Sequence, residues 1–240
     1  MKSMKVRIDK LLCDNLCISR KEARSLISDA KVKINGVVIT KCDEKIEENI
    51  EITVDGKMVS CQKHIYVMLN KPKGVVSASD DKKEKTVVDL MPDELKRKNI
   101  FPAGRLDKDT LGFVLMTDDG DFAHRILSPK NHIEKTYIAK IDHNLSEDDI
   151  KQFEKGIVLA DNTVCLRAKC KMIGEKLAEV KVVEGRYHQI KRMFASLSNR
   201  VVELKRVKMG DLELDESLKE GECRLITQDE LLMITGNVIN

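Results

Sequence analysis

The hydrophobic period of this chain changes once, near residue 64, and that change limits the folds open to it. Before it, RIDKLLCDNL sets Ile8, Leu11, Leu12 and Leu16 at helical spacing. ISRKEARSLISDA then opens with Ser19 and carries Glu22 three residues later, the capping-box signature, while Ala23, Leu26 and Ile27 give that helix an apolar face. KVKING alternates Val32 and Ile34 ahead of Asn35-Gly36, a two-residue hairpin signal, and the strand-like IEITVDG closes the unit. The reading is a small helix-helix-hairpin domain over 1–57 and a linker over 58–64. From IYVMLNKPKG onward, short apolar strands (YVML, FVLM, TYIAKI, EVKVV, VVELKRV, RLIT) are interrupted by the helical SEDDIKQFEKGI and HQIKRMFASL. Regular βα units are absent. Residues 65–240 therefore predict a mixed, mainly antiparallel β-sheet flanked by helices, and the fold class is α+β.

The net charge of +3 hides a segregated distribution. Residues 1–35 carry nine Lys or Arg against four acids, and residues 181–208 carry eight against Glu184 and Glu203. Residues 209–240 reverse the balance, with eight acids against Lys219 and Arg224. Two basic blocks on a nearly neutral chain point to a polyanion held at defined places. Arg20, Lys21 and Arg24 sharpen this, because cations in the first turns of a helix oppose its dipole unless phosphates compensate them. No run of about 18 apolar residues suggests a membrane span, and MKSMKVRIDK has no apolar stretch behind its basic residues, so no signal peptide is expected. The seven Cys form no C-x-x-C pair and are odd in number, which favours free thiols in a reducing cytoplasm over a disulfide framework or a zinc site.

Residues 104–112, GRLDKDTLG, admit three readings: a tight turn, a metal loop, or a carboxylate held out for chemistry. Asp107, Asp109 and Gly112 match positions one, three and six of a calcium loop. Position five would be Leu111 and position twelve Asp118, so two ligands are wrong and no metal is expected. Two glycines bracketing Asp and Thr suit a turn, but a turn leaves Arg105 unused. The chemical reading gains from residues far away in sequence. EGRYHQIKRMF places Ile190, Met193 and Phe194 at helical spacing, leaving Gln189, Lys191 and Arg192 on other faces. A carboxylate in a partly closed cleft needs a cation to stay ionised, and Lys191 or Arg192 offers one. Tyr137, in EKTYIAK, offers a ring that can stack on an unstacked base.

Taken together and in order, these segments resemble the bacterial rRNA pseudouridine synthases, in particular the ribosomal small subunit pseudouridine synthase A branch. Residues 4–56 resemble an S4 RNA-binding domain, and LNKPKG (69–74), GRLDKDTLGFVLMTDDGDFAHRI (104–126), SPKNHIEKTY (128–137) and EGRYHQIKRMF resemble the catalytic-domain motifs. The resemblance implies that Asp107 is the essential catalytic residue, acting on a flipped uridine. It implies that Arg105 fills the space the nucleotide vacates, that Tyr137 stacks on the uracil and assists proton transfer, that Ile190 packs on the base, and that Lys191 pairs with Asp107. Many relatives have Arg at that last position; Lys keeps the charge and loses the bidentate fork. Arg186, His188, Gln189 and Lys71 become candidate substrate contacts, and Arg7, Lys10, Arg20, Lys21 and Arg24 candidate RNA contacts of the S4 domain.

The activity that this resemblance implies is uridine-to-pseudouridine isomerisation in rRNA, with no cofactor. GRYHQIKRMF and VVELKR favour a uridine of 16S rRNA, the position-516 site of the bacterial family, as free RNA or in an assembling small subunit. A 23S substrate remains the alternative within the family. A non-catalytic S4-type rRNA-binding protein is the alternative outside it, and it leaves Asp107, Tyr137 and Lys191 unexplained. Nothing in the sequence calls for an obligate protein partner or a membrane, so a monomer is expected.

Overall fold

The computed structural model describes residues 5–16, 18–47, 50–59 and 64–236, and the chain divides into two compact units. The first comprises Met1–Ile65 with Met91–Ile100, and the second Tyr66–Leu90 with Phe101–Asn240. Cys17, Cys61 and residues 60–63 of the expected linker lie outside the described residues.

The first unit runs β1 (Val6–Arg7), α1 (Ile8–Leu16), α2 (Arg20–Ser28), β2 (Val32–Ile34), β3 (Val37–Val38), β4 (Lys45–Ile46), β5 (Ile52–Val54) and β6 (Lys57–Val59). Helix α2 starts where its cap dictates: Ser19 Oγ accepts from Glu22 N at 3.2 Å, and Glu22 Oε2 accepts from Ser19 N at 2.8 Å. Asn35 and Gly36 both take positive φ, 47° and 80°, which gives the β2–β3 turn the twist its strands need. Asp55 and Gly56 repeat the device at 48° and 78°. Strand β6 therefore folds back on β5, so residues 58 and 59 of the expected linker lie in the sheet. Ile8, Leu12, Ile27, Val32 and Ile52 are fully buried and make the centre of this unit's core.

The second unit contains β7 (Tyr66–Lys71), β8 (Phe101–Ala103), β9 (Leu111–Thr117), α3 (Gly120–Leu127), β10 (Lys135–Ile141), α4 (Glu147–Lys155), β11 (Lys169–Gly174), β12 (Leu177–Val182), α5 (Gln189–Ser196), β13 (Val201–Met209), β14 (Leu212–Glu213), β15 (Cys223–Leu225) and α6 (Gln228–Thr235). Its sheet has the order β11-β12-β10-β13-β9-β7-β15, with β14 on β13 and β8 on β9. All pairings are antiparallel except β9 with β13, which run parallel through Leu111 and Gly112. Gly112 permits that junction. Its φ is +98°, and a Cβ there would stand 2.2 Å from Arg206 O. The sheet carries two cores. One packs Phe153 and Phe194 of α4 and α5 against β10 and β12; the other packs Phe122 and Ile126 of α3, with Leu231 and Ile234 of α6, against β7 and β9.

Candidate active site

The loop 104–110, between β8 and β9, is clamped from beneath. Lys71, at the end of β7 and fully buried, donates from Nζ to Pro72 O (3.0 Å), Lys108 O (3.2 Å) and Thr110 O (2.8 Å). Ser77 Oγ donates to Leu106 O at 2.9 Å and accepts from Leu106 N at 3.1 Å. Gly74 N donates to Lys108 O and Thr110 N to Asp107 O, closing a turn whose inner residues are Lys108 and Asp109. The backbone on both sides of Asp107 is thus fixed, and its side chain projects into a cavity of about 640 Å³.

Helix α5 brings the partners. Lys191 Nζ lies 3.0 Å from Asp107 Oδ2 and also meets Asp109 Oδ1. Burial alone would lower the Lys191 ammonium, but its hydrogen bonds to Asp109 and Asp107 outweigh this and hold it above its ordinary value. The same hydrogen bond from Lys191 holds the Asp109 carboxyl below the usual carboxylate range. His188 precedes α5 in the left-handed region, φ 48°, with its ring stacked on Tyr187 and its Nε2 3.5 Å from Asp107 Oδ1. Tyr137, Ile190, Arg105 and Arg186 also line the cavity. Arg105 is exposed and makes no hydrogen bond or ion pair with a described residue, whereas Arg186 Nε donates to Glu184 Oε2 at 2.9 Å.

Two expected substrate contacts have other duties. Lys71 is spent on the loop's carbonyls and is absent from the cavity wall. Gln189 reaches the wall, but its amide is committed to the 184–189 loop, donating to Glu184 Oε1 at 2.9 Å and accepting from Arg186 N at 3.0 Å. Of the S4 cations, Lys10, Arg20 and Lys21 are exposed and form no ion pair with a described residue. Arg7 and Arg24 instead converge on the buried Asp9, at 2.9 and 3.5 Å, and keep exposed flanks. Sequence pattern does not single out Asp109, Lys135 or Arg206 as members of this site. A signal exists for Lys135, which stands two residues before Tyr137 on one strand and so shares its face.

Over residues 65–196 the sequence matches the RNA pseudouridylate synthase family, and over residues 6–52 the S4 domain. The chain belongs to the RNA pseudouridylate synthase family. It is 41% identical over 234 residues to the "Uncharacterized RNA pseudouridine synthase YtzG" of Bacillus subtilis (strain 168), covering 95% of this chain and 98% of that protein. It is 40% identical over 228 residues to the ribosomal small subunit pseudouridine synthase A of Haemophilus influenzae, covering 94% and 98%. A solved pseudouridylate synthase is 39% identical, with a TM-score of 0.68 and coverage of 95% and 99%. Asp107 stands at the cavity that Tyr137 and Ile190 also line, in a unit preceded by an S4 domain. Among the described residues, no helix is long and apolar enough to cross a membrane.

Proposed function

We propose that this pseudouridine synthase isomerises one uridine of 16S rRNA, at the position-516 site, through Asp107 acting on a flipped nucleotide. The observation that carries the reading is the placement of the Asp107 carboxylate, 24% exposed at the cavity and held by Lys191 at 3.0 Å. The relatives' names support a small-subunit rRNA substrate, since several are ribosomal small subunit pseudouridine synthases A. The reaction is balanced within the nucleotide. The C1′–N1 bond breaks, the base turns in the pocket, C5 bonds to C1′, and the proton lost from C5 is matched by one gained at N1. Asp107 assists either by bonding to the nucleotide or by taking a sugar proton, with Lys191 fixing its position and charge. Tyr137 and Ile190 flank the ring, and Arg105, free and exposed, enters the gap in the RNA.

The S4 unit, read as residues 1–57, grips the RNA backbone through Lys10, Arg20 and Lys21, with Arg7 and Arg24 at its edge. These contacts offset the few kcal/mol of base extrusion. The protein acts as a monomer on cytoplasmic rRNA or its assembling particle. The test is pseudouridine mapping of 16S and 23S rRNA from cells with and without the gene, rescued by wild type or Asp107→Asn. Loss of a single 16S site, restored by wild type alone, is the expected result. Loss of a 23S site would overturn the substrate, and no change at any site would overturn the function.

A further inference from the structure

The wall of the cavity holds two buried cations with no part in the roles assigned to Asp107, Lys191, Tyr137 and Arg105. Lys135 is 5% exposed and Arg206 3% exposed, both line the cavity, and neither forms an ion pair with a described residue. Among the described residues, the Lys135 ammonium makes one hydrogen bond, a long one to Ile126 O at 3.5 Å. Arg206 donates from Nε to Phe113 O at 2.7 Å and from Nη1 to Tyr137 Oη at 3.4 Å, while its buried Nη2 has no partner among the described residues. Burial and the charge of Arg206 push the Lys135 ammonium down to about 8. Two adjacent desolvated cations with no ion pair among the described residues are costly, and a structure retains them most readily when a ligand brings the compensating charge.

The reaction supplies such a charge. When C1′–N1 breaks heterolytically, its electron pair stays on N1 and spreads to O2 and O4 of the uracil. We propose that Lys135 hydrogen-bonds a carbonyl oxygen of the base and stabilises the negative charge that gathers there as the glycosidic bond breaks. Arg206 is its positioning partner. By donating to Tyr137 Oη it occupies an acceptor site of that hydroxyl and leaves the phenol proton free to point at the base. The alternative anion is a backbone phosphate, but the exposed Arg186 is the cavity cation better placed for one, whereas Lys135 is buried on the same strand face as Tyr137. The inference rests on the reading that the flipped uridine enters this cavity.

The test is single-turnover conversion of the rRNA transcript that wild type modifies, together with RNA binding across a salt series, for Lys135→Met, Lys135→Arg and Asp107→Asn. Losing one preorganised donor to a developing oxyanion costs about 10²- to 10³-fold in rate. Lys135→Met should show that loss with RNA affinity within about threefold of wild type, and Lys135→Arg should recover part of it. A Lys135→Met rate within about threefold of wild type overturns the proposal. So does a loss that appears in affinity with a salt slope lower by about one, the mark of a phosphate contact. Conversion by Asp107→Asn would refute the cavity reading instead, while an inactive Asp107→Asn beside an unimpaired Lys135→Met refutes only the role of the lysine. Wild-type protein provides a measurement independent of folding. Reductive methylation at Lys135, read by peptide mass, should be blocked by the substrate RNA and spared by the same RNA with an abasic site at the target; equal protection overturns the base contact.

Discussion

Replacing Lys71 by Met separates two opposing energies at the clamp beneath Asp107. The side chain is fully buried, and burial pushes its ammonium from 10.5 down to about 8. That gap amounts to about 3 kcal/mol against the charged form below pH 8. Met removes this penalty, but it leaves the carbonyls of Pro72, Lys108 and Thr110 without their donor, at about 1–3 kcal/mol each. At neutral pH the two nearly cancel at the low end of that range, so a net loss of about 0–6 kcal/mol is expected. The pH dependence is more decisive. The folded pKa is the lower one, so between pH 8 and 10.5 the unfolded chain binds more protons and stability rises with pH. Urea unfolding followed by circular dichroism should therefore find wild type gaining about 3 kcal/mol on Lys71→Met across that window. Single-turnover conversion should fall about 10²-fold, because a loosened loop misplaces Asp107. A stability difference flat with pH, or a rate within about threefold of wild type, would refute the clamp.

Three further outcomes are expected from the same geometry. Lys191→Met strips both Asp107 and Asp109 of their cation and should lower kcat at least about 10²-fold, whereas Lys191→Arg should keep most activity and Asp109→Asn should cost far less than Lys191→Met. Gly112→Ala forces a Cβ against Arg206 O at a φ that L-residues avoid, and should destabilise the second unit by about 3 kcal/mol or more in urea unfolding. Asp9→Asn releases Arg7 and Arg24 and should lower the melting temperature of the first unit. Hydrogen bonding from Arg7 holds the Asp9 carboxyl below its ordinary value, so the wild-type advantage should be present above the usual carboxylate range and fade as pH falls through it.

Local chemistry makes parts of this fold readable. Ser19 with Glu22 sets the start of α2, and Asn35-Gly36 sets the first hairpin. The same turn chemistry at Asp55-Gly56 reads in sequence as an ending, because KMV carries too little apolar pattern to announce a strand; only its pairing with β5 reveals it. Helix α3 is hidden for a similar reason. Its apolar face, Phe122, Ala123 and Ile126, is short, and its cap is Asp119, which in sequence looks like one more acid of TDDGD. The loop carrying Asp107 stands out because glycines bracket it, but nothing local says that Lys71 holds it, since the two meet only where β7 pairs with β9.

The pair Lys135 and Arg206 sets the sharper boundary to what sequence can reveal. Each lies in a segment whose pattern marks a strand, and each looks like an ordinary surface cation there. Their burial comes from tertiary pairing: β10 lies between β12 and β13, and Tyr137 faces Arg206 across that second junction. The register that brings Arg206 to Tyr137 also brings it to Gly112, in the loop strand that continues from Asp107. One guanidinium is therefore anchored to the strand that follows Asp107 through Phe113 O and to the ring of Tyr137 through its Oη. An Arg206→Lys substitution keeps the charge but cannot span both anchors. If Arg206 sets the hydroxyl of Tyr137, Arg206→Lys in a wild-type Tyr137 background should slow turnover, while in a Tyr137→Phe background, where no hydroxyl remains to orient, it should cost little more. Equal losses in both backgrounds, measured as a double-mutant cycle on single-turnover rates, would show that the arginine acts only by bracing the sheet.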